Sequence, residues 1–197
     1  MPDMRSHADA LSSLLVPYGD DLGDEVDWAE AEAAYGVEFP SDYKEFVRRF
    51  GHGTVEGKIC VMLPVATAEP ATRRVAYLSD LVRAPSTYGR EVRFGSHAYG
   101  SDHMLVWGET DSADVLAWVV LGPDPATWPV AVWARGDAAW VVHPCGMAEF
   151  LGKLLRGEFP ECPISDTSLV GIPSPRFLHD REEERLAEHG VHPWDED

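Results

Sequence analysis

Apolar residues recur at helical spacing in several segments of the chain. The clearest is 41–50, where four apolar side chains share one helical face and Gly51 follows at a position where a helix can end. Ser41 or Asp42 is placed to accept hydrogen bonds from the free backbone N–H groups at its start. The same spacing predicts further helices over residues 6–16, Trp28–Tyr35, 69–83 and Met147–Arg156.

Short apolar runs separated by turn residues predict strands in the second half of the chain. In Val115–Leu121 both alternating sets of side chains are apolar, so we expect this strand to be covered on both faces, by helices on at least one. The short connections suit antiparallel pairing. We therefore predict an α+β fold with an antiparallel or mixed central sheet packed by helices. The predicted strands are Ile59–Leu63, Val92–Phe94, His103–Trp107, Val115–Leu121, Val130–Ala134 and Ala139–His143.

The composition of the chain changes after residue 160, where prolines become frequent. This change predicts one domain over residues 1–160 and a proline-rich C-terminal extension over 161–197, either docked on the surface or flexible. Within the extension, Ser174 followed by Pro175 has the pattern of an N-cap and a first helical residue. A surface helix is therefore predicted over residues 175–189.

The charge of the chain narrows the choice of partner. Its 34 Asp and Glu residues outnumber 16 Lys and Arg residues, which gives a net charge of −18. The electrostatic field of this negative charge repels phosphate backbones and anionic headgroups, so nucleic acids and membranes are poor partners. A basic protein is a better match for the charge of the chain. The 45% of hydrophobic residues is ample for one continuous core.

The cysteines and apolar segments favour a soluble cytoplasmic protein. Cys60, Cys145 and Cys162 are too few and too scattered for a disulfide framework, which indicates a reducing compartment. No apolar segment approaches the roughly 20 residues of a membrane helix. The sequence predicts no cofactor, and it leaves the oligomeric state open.

Six motifs occur in order along the chain. They are Trp28…Tyr35-Gly36, Phe39-Pro40-x-Asp42-Tyr43-x-x-Phe46-Val47, Phe50-Gly51-His52-Gly53, Phe94-Gly95-Ser96-His97, Trp128-Pro129-Val130-Ala131-Val132 and Phe150-Leu151-x-x-Leu154-Leu155-x-Gly157. This ordered set resembles the SUKH superfamily, which includes fungal cell-wall-assembly regulators and many bacterial immunity proteins. The resemblance spans roughly residues 8–160. The turn Gly51-His52-Gly53 differs from the Asn-Gly-Gly-like run that the family often has, and the extension after Pro160 has no counterpart in the family pattern.

This resemblance implies a binding protein, because the family has no shared set of catalytic residues. Bacterial members typically neutralise a toxin, often a nuclease, by binding it tightly. We therefore expect an immunity-type protein that is not an enzyme and that blocks a basic toxin domain by direct occlusion. The first alternative is a scaffold or regulatory interaction module of the same fold that has no toxin partner.

Exposed acids and one aromatic residue are the candidates for partner contact. Acidic rim residues speed association with a basic protein, and buried aromatic anchors supply affinity. Trp128 lies in a loop between prolines and is the tryptophan most expected to be exposed. The acidic candidates are Asp20, Asp21, Asp24, Glu25, Asp27, Glu109, Asp111 and Asp114.

Two polar segments offer alternative chemistry. Residues 95–103 contain Ser96, His97, Asp102 and His103, which suggests a small hydrolase or metal ligands, although a structural turn is the favoured interpretation. His143-Pro144-Cys145 supplies only two metal-ligand types where zinc needs about four ligands, so no metal is predicted there.

Overall fold

The computed structural model describes residues 4–64, 91–100 and 103–194, so the predicted helix over 69–83 lies outside the described residues. The α-helices are α1 (Met4–Leu14), α2 (Trp28–Tyr35), α3 (Ser41–Arg49), α4 (Met147–Arg156) and α5 (Asp180–Glu188). The strands are β1 (Val16–Pro17), β2 (Gly53–Val55), β3 (Ile59–Val61), β4 (Glu91–Phe94), β5 (His97–Gly100), β6 (Met104–Thr110), β7 (Val115–Val119), β8 (Val130–Ala134), β9 (Ala139–His143) and β10 (Arg176–His179).

Eight of these strands form one mixed sheet in the order β1-β10-β2-β3-β6-β7-β8-β9. The β1–β10 pair is parallel, and every other neighbouring pair of this sheet is antiparallel. Strands β4 and β5 form a separate hairpin. The α+β class and the mixed sheet are confirmed.

Helices α1, α3 and α4 pack on one another and cover one face of the sheet. Strand β7 shows how the two faces are built. Its Leu116 and Trp118 join the core beneath the helices, whereas Val115, Ala117 and Val119 join a second apolar cluster. All five residues are buried, as the two apolar sets of this strand predicted.

Helix α3 follows Pro40 and lays Tyr43, Phe46 and Val47 into the core. Tyr43 packs edge-on against Trp118 with ring centroids 5.0 Å apart. Aromatic pairs in this geometry stabilise a core beyond the area that they bury. This contact holds α3 against strand β7 of the sheet.

Gly51 ends this region in a left-handed conformation with φ of 79°. A Cβ atom at this position would collide with Asp24 Oδ2 and His179 Nε2. Glycine is therefore required both by the backbone conformation and by the close approach of two other chain segments.

The predicted helix over residues 175–189 is wrong at its start. Residues Arg176–His179 form β10, which lies inside the sheet between β1 and β2, and α5 begins only at Asp180. Phe177 and Leu178 are fully buried, so pairing with two strands and burial of these side chains override the local proline signal. The predicted boundary at residue 160 stays a prediction.

Candidate functional site

The acidic segment 20–27 connects β1 to α2, and part of it faces the C-terminal residues. Arg181 is the link, because its Nη2 donates to Asp21 Oδ1 at 2.7 Å and its Nη1 donates to Asp24 Oδ1 at 2.5 Å. Arg181 also donates to the carbonyl oxygen of Gly23 at 3.0 Å. Two of the predicted contact residues are therefore engaged within the chain.

Asp24 is the most heavily bonded carboxylate of this segment. His179 Nε2 lies 3.1 Å from its Oδ2, and the backbone N–H of His52 donates to the same oxygen at 2.7 Å. Burial alone would raise the pKa of Asp24, but the hydrogen bonds from His179, His52 and Arg181 outweigh it and hold the pKa well below its usual value. No sequence signal revealed this, because His179 lies 155 residues away from Asp24.

The other acids of the segment are exposed. Asp27 is the N-cap of α2 and accepts from the backbone N–H of Glu30 at 3.0 Å. Asp20 and Glu25 are also exposed to solvent. These three side chains are the part of the predicted acidic surface that a partner can reach directly.

The acids predicted near residue 110 differ sharply from one another. Glu109 is exposed on β6, and Asp111 forms an ion pair with Lys58 at 3.0 Å. Asp114, by contrast, is 0% exposed. It accepts from the backbone N–H groups of Arg135 at 2.8 Å and Ser165 at 2.7 Å. The structure contradicts the prediction that Asp114 contacts a partner, because its carboxylate is committed to the interior.

Trp128 is also buried, at 2% exposure, which overturns the prediction that it is exposed. Its indole N–H donates to the carbonyl oxygen of Gly122 at 2.8 Å. The polar edge of the ring is thus satisfied within the loop, and the rest of the ring joins the core under the helices. An interface role for Trp128 has no support in this arrangement.

Of the segment 95–103, the described residues 95–100 form the turn between β4 and β5 and then β5 itself. Ser96 Oγ lies 3.3 Å from His97 Nδ1, and both residues are exposed. The His97 and His103 rings each lie beside Tyr99. Asp102, the third member of the hypothetical triad, lies outside the described residues, so the hydrolase hypothesis gains no geometry from this hairpin.

A thiol–imidazole–carboxylate cluster lies beside β3, and sequence reasoning missed it. Cys60 Sγ lies 3.7 Å from His52 Nε2, and His52 Nδ1 lies 3.7 Å from Asp180 Oδ2. Burial raises the pKa of the Cys60 thiol to about 12, and the charges of Glu109, Asp180 and Glu183 add to the shift. Because the thiolate is the nucleophilic form, this raised pKa disfavours nucleophilic chemistry at the Cys60 thiol near neutral pH.

His143 and Cys145 lie at the end of β9 and in the turn before α4. The His143 ring packs between Phe150 and Phe159, with centroid distances of 5.3 and 5.1 Å. Burial raises the pKa of Cys145 to about 12. Across residues 4–64, 91–100 and 103–194, no group of three or more His, Cys, Asp or Glu side chains is placed to hold a metal ion.

A cleft of about 830 Å³ lies between α1, α3 and the segment 24–28. Most of its charges are already paired, for example Arg49 with Asp9 at 2.5 Å and Arg48 with Glu45 at 2.5 Å. Cations and acids occur in equal number, so the cleft offers no concentrated charge. Its charged lining residues are Arg5, Asp9, Asp24, Glu25, Lys44, Glu45, Arg48 and Arg49.

The described residues thus define an α+β protein with exposed acids on its surface and a partly buried thiol whose pKa is raised. The family model SUKH_6, described as SMI1-KNR4 cell-wall, matches residues 25–151. This match covers more than half of the chain, so the protein belongs to the SUKH superfamily, within the SMI1-KNR4 family. No curated protein and no solved structure matches the chain significantly. Among the helices of the described residues, none has the length and apolar character needed to cross a bilayer.

Proposed function

We propose that this protein is an immunity-type binding protein that neutralises a basic toxin domain, such as a nuclease, by direct occlusion. Membership of the SUKH superfamily carries the proposal, because proteins of this family generally act by protein interaction. The net charge of −18 supports it, since a strongly acidic inhibitor is attracted to the basic surface that a nuclease needs for phosphate binding.

The proposed contact surface consists of exposed acids. Asp20, Glu25 and Asp27 present their carboxylates to solvent beside the Arg181 ion pairs, and Glu109 is exposed on β6. Exposed charges of this kind mainly raise the association rate. The protein itself catalyses no reaction in this proposal, and it acts in the cytoplasm, where its three free cysteines stay reduced.

Co-expression tests this function. Production of the protein together with the toxin-like product of a neighbouring gene should restore growth of the host cell. Continued killing with every such neighbour would contradict the proposal, and capture of housekeeping regulators alone would favour a scaffold role.

Charge-reversal variants test the acidic surface within the same assay. Asp20→Lys combined with Glu25→Lys should slow association with the toxin by about tenfold or more at low salt, because steering by these charges is lost. The matched control is Glu91→Lys with Asp137→Lys, two exposed acids elsewhere, which makes the same change in net charge. Equal effects of the two pairs would show that only the total charge matters.

A further inference from the structure

A second cavity, of about 330 Å³, lies between the start of α1, the loop 126–129 and the turn before α4. This volume lies at the lower end of the range for small-ligand sites, roughly 300–1,000 Å³, and suits a ligand of side-chain size. Two carboxylates and one imidazole line it: Asp42, Glu149 and His7. The apolar part of the wall is formed by Met4, Phe94, Trp128, Pro129, Pro144 and Cys145.

Asp42 is the buried end of this cavity, at 1% exposure. The sequence suggested that Ser41 or Asp42 caps α3, but no side chain caps the start of this helix. Asp42 Oδ2 instead accepts from the backbone N–H of Ala148 in α4 at 3.0 Å, and its Oδ1 accepts from the N–H of Tyr43 at 2.9 Å. A carboxylate has about four acceptor positions, so these two bonds leave capacity for a further donor.

The hydrogen bonds that Asp42 accepts from Tyr43 and Ala148 come from neutral backbone amides. Burial raises the pKa of Asp42, although the amides of Ala148 and Tyr43 and the His7 side chain act in the opposite direction. His7 Nε2 also lies 3.6 Å from Glu149 Oε2, and Glu149 pairs with Lys153 at 2.6 Å. A cation that entered the cavity would therefore be attracted by the buried carboxylate of Asp42.

We propose that this cavity binds an aliphatic cation, with its ammonium or guanidinium group against Asp42 and Glu149 and its methylene stem along the apolar wall. This is the chemistry of a lysine or arginine side chain. On the proposed function, which this step deepens, the cavity receives such a side chain from the basic partner.

Titration of the full-length, ¹⁵N-labelled protein with n-butylammonium tests the site without a toxin. The amide signals of Ala148 and Tyr43, whose N–H groups touch Asp42, should shift in a saturable way. Affinity in the millimolar range is expected for a ligand of so few atoms. The neutral probe n-butanol, which has the same stem, should bind at least about tenfold more weakly.

Variants separate the charge of Asp42 from the shape of the cavity. Asp42→Asn keeps an acceptor oxygen but removes the charge, and it should weaken binding of n-butylammonium by at least about tenfold. Glu149→Gln is a second variant at a partly exposed position, and it should weaken binding of n-butylammonium severalfold, so the proposal can be tested even if Asp42→Asn fails to fold. The control Asp137→Asn changes an exposed acid that does not line the cavity, and this variant should bind n-butylammonium as the original protein does.

Three results would overturn the proposal: the absence of saturable shifts, equal binding of n-butanol, or unchanged affinity in the Asp42→Asn and Glu149→Gln variants. Each concerns the cavity alone. Restored growth in the co-expression assay combined with any of them would leave the toxin-neutralising function standing and remove only the cation site.

Discussion

At the scale of single residues, environment separates acids that look alike in the sequence. Asp111 and Asp114 stand three positions apart, yet Asp111 pairs with Lys58 at the surface and Asp114 is fully buried. The carboxylate of Asp114 also accepts from the hydroxyl groups of Thr110 at 3.1 Å and Ser165 at 2.6 Å. It thereby ties the β6–β7 turn to the turn after β8 and to residue 165.

Replacement of Asp114 by alanine should lower the free energy of unfolding by about 2–4 kcal/mol, because buried backbone donors lose their acceptor. Asp111→Ala is the matched control and should cost no more than about 1 kcal/mol, as is usual for an exposed ion pair. Urea denaturation followed by far-ultraviolet circular dichroism measures both values. Similar costs for the two variants would contradict the structural role of Asp114.

Sequence reasoning at this scale found the acids but not their surroundings. Asp20, Glu25 and Glu109 are exposed as expected, whereas Asp114 and Trp128 are buried. Trp128 can be buried because the Gly122 carbonyl accepts from its indole N–H. Asp114 can be buried because it accepts hydrogen bonds from donors as distant in sequence as Ser165. Contacts of this kind produce no periodic pattern of polar and apolar residues in the sequence.

At the scale of elements, β10 and α5 show how tertiary pairing overrides a local signal. Ser174 does not cap a helix, and its backbone adopts a positive φ of 53°. The chain then runs as a strand to His179, whose Nδ1 accepts from the backbone N–H of Arg181 at 3.1 Å and so caps α5. The helix thus begins where the strand pairing with β2 ends.

Phe177 anchors β10 in the core, where its ring lies 5.6 Å from Phe46 and 5.2 Å from Phe50 between centroids. Phe177→Ala should therefore lower the free energy of unfolding by about 3–5 kcal/mol. Val170→Ala, at a site that is 40% exposed, should change it by less than about 0.5 kcal/mol. A small effect of Phe177→Ala in thermal or urea unfolding would show that β10 contributes little to stability.

The elements that the sequence predicted best are those with several alternating or helically spaced apolar positions. The predicted bounds of β8, Val130–Ala134, and of α4, Met147–Arg156, are confirmed. Strands β1 and β2 contain two and three residues, which is too short for any period to show. In the sheet β1 pairs with β10 alone, whereas β2 pairs with β10 and with β3, so both strands take a neighbour from more than a hundred positions away.

At the scale of the whole molecule, Asp24 joins distant parts of the chain. It binds His52 at the start of β2, His179 at the end of β10 and Arg181 in α5. Most of these bonds depend on the charge of one carboxylate. The stability of the molecule should therefore respond to the protonation of Asp24.

The sign of this response follows from the lowered pKa of Asp24 in the folded protein. An aspartate in an unfolded chain has a pKa of about 3.9. The stabilisation by the Asp24 charge is therefore fully present at pH values above this pKa, and it is lost as the pH falls towards the lower pKa of the folded protein. Asp24→Asn should lower the free energy of unfolding by about 2 kcal/mol or more near neutral pH, and this deficit should shrink in acid.

Urea denaturation over a series of pH values measures this difference between the original protein and Asp24→Asn. The exposed neighbour variant Glu25→Gln is the control and should stay within about 0.5 kcal/mol of the original protein near neutral pH. A deficit of Asp24→Asn that stays constant from neutral to acid pH would contradict the role of the charge.

The overall class of the fold was predictable because apolar residues recur at helical spacing in α3, and because the continuous apolar run of β7 is typical of a strand covered on both faces. The order of strands was not, because β10 enters the sheet between β1 and β2 from more than a hundred positions away. Such long-range pairing is fixed by the complete set of contacts rather than by any segment.

The interior position of β10 has a consequence for biosynthesis. A ribosome makes β1 and β2 long before it makes Arg176–His179, so the facing edges of both strands lack their shared neighbour until more than a hundred further residues have been translated. Each nascent chain therefore exposes unpaired strand edges during elongation, and an interrupted message yields a product that lacks the middle of this part of the sheet. Synthesis of β10 is thus the step that completes this part of the sheet.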